Sequence, residues 1–244
     1  MEKGKTGAII LAGGYGRRMH SRVQKQYMLL AGRPLILHTL EAFENSPVDE
    51  IVLVVGSGEE AYVRKEILAG SRISKLSAVV AGGRERYHSV YEGLKAMHDC
   101  AYVLIHDGAR PLVTEPVIRR AIQGAVENQA CVVGMPVKDT IKVADAQEYA
   151  VATPDRSHLW QIQTPQAFAY RLVREAYDRM MADPSRQVGI TDDAMVVENG
   201  SDVKVRLIEG SYENLKVTTP EDLILAEALL QARRQKRTKM TNSD

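Results

Sequence analysis

The sequence predicts an α/β fold, a mostly parallel sheet with helices on both faces, and three observations carry that prediction. Five short runs are apolar without alternation, as strands buried on both faces are. Segments with apolar residues at helical spacing separate them. Glycine-rich or charged loops follow the runs, at the strand ends where such sheets bind their ligands.

Taken in order, Ala8-Ile9-Ile10-Leu11 reads as the first strand and ends in a glycine loop. Residues 34–43 read as a helix with Leu35, Ile36, Thr39 and Leu40 on one side. Residues 51–55 form a second strand and 59–68 a helix. Residues 77–81 form a third strand, and 85–97 a helix with Val90, Leu94 and Met97 facing inward. Residues 102–105 form a fourth strand. Thr114 is placed to cap a helix carrying Ile118, Ile122 and Val126, and residues 131–135 form the fifth strand.

The rhythm then breaks. Residues 140–143 and 149–152 read as a hairpin around the turn-prone Asp145-Ala146-Gln147, with no helix between them. The stretch from about 138 to 163 is therefore expected to be a β-arm projecting from a single domain spanning residues 1–244. An arm with little core of its own usually packs on a partner, so a homodimer is expected, a local flap within one subunit being the alternative. Residues 168–181 and 191–198 read as helices and 203–207 as a strand. Thr219-Pro220-Glu221-Asp222 is a helix start, with a capping threonine, proline in the first turn and acids at the positive dipole end. That helix runs on through Leu223, Ala226, Leu229 and Leu230, and the basic tail over 233–239 reads as solvated and frayed.

Composition narrows the function. Of 244 residues, 45% are hydrophobic and 26% charged, which is ordinary for a globular chain. A formal net charge of +1 creates no global field that would select nucleic acid or an anionic membrane. No apolar run approaches the roughly 20 residues a membrane-spanning helix needs. The first residues show no export signal, so a cytoplasmic location is expected. Cys100 and Cys131 belong to no metal or redox motif and read as core thiols.

Three loops carry candidate chemistry. Ala12-Gly13-Gly14-Tyr15-Gly16-Arg17-Arg18-Met19, followed by Lys25-Gln26, fits neither a Walker loop nor a dinucleotide fingerprint. Its glycines allow backbone N–H groups to approach phosphate oxygens, and its arginines and lysine supply charges that match a triphosphate. Gly82-Gly83-Arg84-Glu85-Arg86, with Ser89 beyond, could hold a base, although a tight turn with a helix-start acid explains the segment as well. His106-Asp107-Gly108-Ala109-Arg110-Pro111 places a carboxylate at a strand end, suited to ligating Mg²⁺ together with substrate phosphates. Arg110 can reach an anionic group. His106 reads as structural, because an ionised phosphate nucleophile needs no base. Asp192-Asp193 reads as a helix-start acid pair rather than a second metal site.

In order along the chain, these loops plus Ser89-Val90, Lys138-Asp139-Thr140, Thr164-Pro165-Gln166 and Lys216-Val217-Thr218 resemble the 2-C-methyl-D-erythritol 4-phosphate cytidylyltransferase family, essentially end to end. The resemblance implies a Rossmann-like nucleotidyltransferase fold, homodimeric through a β-arm. It implies transfer of CMP from CTP to methylerythritol phosphate in isoprenoid precursor synthesis, with Mg²⁺ as cofactor and pyrophosphate as leaving group. Carried over by motif, Arg18, Lys25 and Lys216 are catalytic and Asp107 holds the metal. Ala12, Gly13, Gly14, Gly16, Gly83 and Ser89 bind the nucleotide. Arg110, Thr140, Arg156 and Thr191 bind the acceptor, Arg156 reaching over from the other subunit's arm. The chain departs from the family pattern at Gln24, where proline is usual, and at Gly13 and Gly108, where alanine is frequent. Ribitol 5-phosphate as acceptor, and a noncatalytic module of the same fold, are the alternative readings.

Overall fold

The computed structural model describes residues 4–14, 19 and 24–241, with side chains described through Lys236. Its frame is a seven-stranded sheet in the order β11-β7-β10-β6-β1-β4-β5. The strands are β1 (Thr6–Ala12), β4 (Glu50–Val55), β5 (Leu76–Ala81), β6 (Tyr102–Asp107), β7 (Ala130–Pro136), β10 (Trp160–Ala169) and β11 (Arg206–Glu209). All pair in parallel except β10, which runs antiparallel to both β6 and β7. Two small hairpins complete the strands, β2 (Leu29–Leu30) with β3 (Arg33–Pro34), and β8 (Val143–Ala144) with β9 (Ala150–Ala152).

Helices cover both faces, because residues one apart on these strands point to opposite sides and both sets are apolar. Ile10, Leu53, Leu104 and Val133 pack with α1 (Leu35–Glu44) and α4 (Glu115–Asn128), joined by Val63 and Ile67 of the α2 region (Glu60–Tyr62, continued by a π-helical turn over Val63–Ile67). Ile9, Val52, Val103 and Val132 pack with α3 (Arg86–Ala96), α5 (Tyr170–Ala182) and α6 (Asp193–Gly200). A third cluster sets α7 (Pro220–Thr241) through Ala226 against Leu30, Leu112 and Val217. Among the described residues, no helix is long and apolar enough to cross a membrane.

Seven points differ from the sequence expectation. The strand β10 was absent from it, and the helix expected from 168 begins only at Tyr170. The β10 side chains Gln163, Thr164 and Gln166 are buried but polar, so the segment lacks the apolar run that marks its neighbours. Residues 160–162 pair with β7 in the main sheet, and the exposed extension spans the residues before them. Within it the hairpin ladder is shorter than expected. Thr114 occupies the cap of α4 without a side-chain capping bond. The strand expected over 203–207 forms as Arg206–Glu209. The basic tail is helical to Thr241, and Arg233 is pinned to Glu213 (2.9 Å) and to the Leu112 carbonyl (2.9 Å).

Candidate active site

Parallel strands finish on one edge of the sheet, and the chain there opens into a cleft of about 760 Å³. The loop after β1 contributes Ala12, Gly13 and Gly14, the loop after β4 Gly56 and Ser57, and the loop after β5 Gly82 through Arg86. Asp107 closes the floor from the end of β6. Lys25 enters from the short 3₁₀ turn Lys25–Tyr27.

Local geometry explains several of these residues. The Gly82 N–H donates to the Val55 carbonyl (2.7 Å), so the loop after β5 turns hard against β4. A Cβ on Gly82 would lie 2.6 Å from Ser89 Oγ and 3.1 Å from that carbonyl, so only glycine fits. Ser89 Oγ accepts from the Gly83 N–H (3.2 Å) and fastens the loop to α3. Glu85 caps α3 reciprocally with His88. Gly108 is equally constrained, since a Cβ there would meet Ile36 Cδ1 at 2.6 Å and the Leu11 carbonyl at 2.7 Å. That crowding accounts for glycine after Asp107 in this chain.

Asp107 is the electrostatic centre. Lys216 Nζ lies 2.7 Å from Oδ2, Arg86 Nε 3.3 Å from Oδ1, and Arg110 Nε 3.9 Å from Oδ2. Burial alone would push the Asp107 carboxyl up, but the charges of Arg86, Lys216 and Arg110 outweigh it and hold the group well below the usual carboxylate range. It is therefore ionised at neutral pH. Lys216 is delivered from far along the chain because the Val217 N–H donates to the Ala109 carbonyl (2.8 Å) and Val217 is fully buried.

Arg86, which the sequence reading quoted in the second loop without giving it a role, lines the cleft. Its guanidinium forks onto Asp193, Nη1 to Oδ1 at 2.9 Å and Nη2 to Oδ2 at 2.8 Å, while Nε faces Asp107. Asp193 is fully buried and also accepts from the Tyr177 hydroxyl (2.6 Å). The two acids at the start of α6 thus do different work. Asp192 caps the helix by accepting from the Met195 N–H (2.9 Å), and Asp193 orients Arg86 toward the cleft. Arg86 and Asp193 lie 107 positions apart in the chain, and no sequence signal couples them.

His106 has no access to the cleft. It is fully buried, packs on Phe43 with ring centroids 5.0 Å apart, and faces the Arg110 carbonyl through Nε2 (3.4 Å). Nδ1 then accepts from the Thr164 hydroxyl (3.0 Å). Burial lowers its pKa to about 3, so the imidazole is neutral.

Of the residues singled out in the sequence, Ala12, Gly13, Gly14, Lys25, Gly83, Ser89, Asp107 and Lys216 line the one cleft. Arg110 lies behind Asp107, 9% exposed, and donates to the Asn214 carbonyl (2.7 Å). Thr140 and Arg156 are exposed on the extension, where Arg156 donates to the Lys138 carbonyl (2.8 Å). Thr191 is exposed just before the α6 cap, its hydroxyl 3.7 Å from Met195 Sδ. Gly16 and Arg18 lie outside the described residues. Among the described residues, no three His, Cys, Asp or Glu groups gather as a metal cage. The ionised Asp107 carboxylate at the floor of this cleft does match what Mg²⁺ accepts when the substrate brings the other oxygens.

Glycine loops and cations converging at the strand ends of an α/β sheet suit a nucleotide's phosphates, as in a nucleotidyltransferase. Comparison with known proteins makes the class particular. The family model described as IspD, 2-C-methyl-D-erythritol 4-phosphate cytidylyltransferase, matches residues 6–232, and the chain belongs to that family. It is 51% identical over 224 residues to the enzyme of that name from Lachnospira eligens, covering 91% of this chain and 98% of that one. The solved 4-diphosphocytidyl-2C-methyl-D-erythritol synthase from Anaerococcus prevotii superposes with a TM-score of 0.82 at 34% identity, covering 94% and 97% of the two chains. The cytidylyltransferase from Thermus thermophilus superposes with a TM-score of 0.74 at 30% identity, covering 93% and 99%.

Proposed function

We propose that the chain transfers CMP from CTP to 2-C-methyl-D-erythritol 4-phosphate, releasing pyrophosphate. The convergence of Lys25, Arg86 and Lys216 with Asp107 at one sheet edge carries the reading. A phosphate oxygen of the acceptor attacks the α-phosphorus of CTP. The bond from that phosphorus to the bridging oxygen breaks, and pyrophosphate departs with the electron pair. The nucleophile is already ionised, which suits a cleft from which the neutral His106 is excluded.

The protein contributes positioning and charge neutralisation. Lys25 and Lys216, with Arg18 of the glycine loop, neutralise charge growing on the phosphates. The backbone of Ala12–Gly14, with Gly16, cradles the triphosphate, and the Gly83–Ser89 segment holds the cytidine. Arg110, Thr140, Thr191 and a partner's Arg156 bind the acceptor, in a cytoplasmic homodimer joined through the extension. This part rests on motif match and on the exposure of Thr140 and Arg156 away from their own cleft. Asp107 is the residue suited to hold Mg²⁺, which when bound screens the repulsion between phosphates and polarises the reacting phosphoryl group.

The test is pyrophosphate release from CTP with methylerythritol phosphate or ribitol 5-phosphate, with and without Mg²⁺. Release with the first acceptor, dependent on Mg²⁺, is expected. Release with ribitol 5-phosphate alone would overturn the acceptor, and metal-independent release would remove Asp107 from its role.

A further inference from the structure

We infer that Glu59 is a positioning residue for the reaction, acting as the latch that fixes the Lys25 turn in the cleft. The inference rests on the role proposed for Lys25. Glu59 sits on the turn between β4 and α2, and no sequence motif pointed to it. Its Oε2 accepts from the Gly56 N–H (3.2 Å) and from the Tyr27 hydroxyl (2.8 Å), and its Oε1 accepts from the Gln24 side-chain amide. Gln24 Oε1 in turn accepts from Gln26 Nε2, which also donates to the Ala12 carbonyl. A continuous set of polar contacts thus runs from the end of β1 to the end of β4, and Lys25 stands at its midpoint between two of its members. Gln26 and Tyr27 are 1% and 8% exposed, so the bond from Gln26 to Ala12 is buried and the others are partly shielded from water.

Burial and the Glu59 carboxylate both push the Tyr27 phenol far above its ordinary value, so it stays protonated and remains a donor. Among the described residues, Glu59 ties Gln24 and Tyr27 directly, and Gln26 through Gln24, to the end of β4. Lys25 has a long flexible stem, and its charge assists transfer only if its backbone is already placed when the phosphates arrive.

The backbone supplies an independent handle. Gln24 has φ −63°, the value a proline ring imposes covalently, and ψ 140°, which a proline adopts in its extended conformation. A proline there would hold by its ring what the amide holds through Glu59.

The experiment compares wild type, Glu59→Gln, Tyr27→Phe and the Glu59→Gln/Gln24→Pro double variant in the pyrophosphate assay. Hydrogen exchange over residues 24–30 is followed in parallel on free protein. Glu59→Gln is expected to lower kcat by roughly tenfold or more with little change in KM for CTP, since the loss is of placement and not of a phosphate contact. Its 24–30 amides are expected to exchange faster, and Gln24→Pro should recover much of both losses. Tyr27→Phe, which deletes one donor and keeps the ring, is expected to show smaller changes of the same kind. Unchanged exchange in Glu59→Gln would overturn the latch. So would a turnover loss that Gln24→Pro leaves untouched while slow exchange is restored. The exchange readout needs no substrate, so failure of the functional assignment shows separately as absent wild-type turnover.

Discussion

Replacing Asp193 with asparagine keeps the shape of the side chain and removes the charge that anchors Arg86. In the native protein Arg86 makes two bonds to Asp193 at 2.9 and 2.8 Å, and Asp193 has no solvent exposure. Two unit charges about 4 Å apart at an effective dielectric near 20 attract by about 4 kcal/mol. Removing one partner of a buried pair costs about 3–5 kcal/mol, chiefly because the other charge is left without compensation. Arg86 keeps Asp107 at 3.3 Å and is 30% exposed along its side chain, which puts the expectation at the low end, about 3 kcal/mol. For a chain of this size that is a fall in Tm of about 6–12 °C. Urea unfolding followed by far-UV circular dichroism, at low salt and at high salt, measures it. High salt should leave the loss largely intact, because a buried pair is poorly screened. A cycle with Arg86→Met should give a coupling energy above about 1.5 kcal/mol. A loss below about 1 kcal/mol, or one that salt abolishes, would refute the reasoning and reduce the pair to a surface contact.

Other outcomes follow from the same geometry. Lys25→Ala should lower kcat by at least about a hundredfold in the pyrophosphate assay, the scale of losing one preorganised donor, and near-normal turnover would remove Lys25 from the reaction. Gly108→Ala forces a methyl group against the Leu11 carbonyl, so urea midpoints should report about 1–3 kcal/mol of destabilisation. Burial raises the Cys100 and Cys131 thiols to about 11 and about 12. Both should therefore resist a thiol-specific disulfide reagent at pH 8 in the folded protein and react at once in urea; the sign is clear because the reactive thiolate forms only near those raised values.

The parts of the fold that were legible share one property: their physics is local. β1, β4, β5, β6 and β7 announce themselves as apolar runs, and α1, α3 and α4 by spacing. What escaped is held by partners remote in sequence. In β10, Gln166 Oε1 accepts from the N–H groups of Asp193 and Ala194 (3.0 and 2.9 Å), and its Nε2 donates to Asp192. Asn214 meets Gln163 and the Thr164 carbonyl. Such polar residues look like loop until their partners are known, and Pro165 argued further against a central strand. The site divides the same way. Lys25 and Asp107 were readable from their loops, and Lys216 only through family resemblance. Arg86 has no role readable from its loop, because that segment reads as well as a tight turn and its partner Asp193 lies 107 positions away.

The extension that leaves from β7 returns directly into β10, its neighbour in the sheet. Its two feet are stitched together, the Val137 N–H to the Leu159 carbonyl at 3.0 Å, immediately before the two strands begin pairing. An excursion whose entrance and exit already touch is thermodynamically detachable, since the cost of closing a loop grows only slowly with its length. Shortening it to a tight turn should leave the sheet and cleft folded while removing Thr140 and Arg156 together. Catalytic body and outer appendage can therefore change at different tempos, with new reach added to the molecule at little risk to its centre.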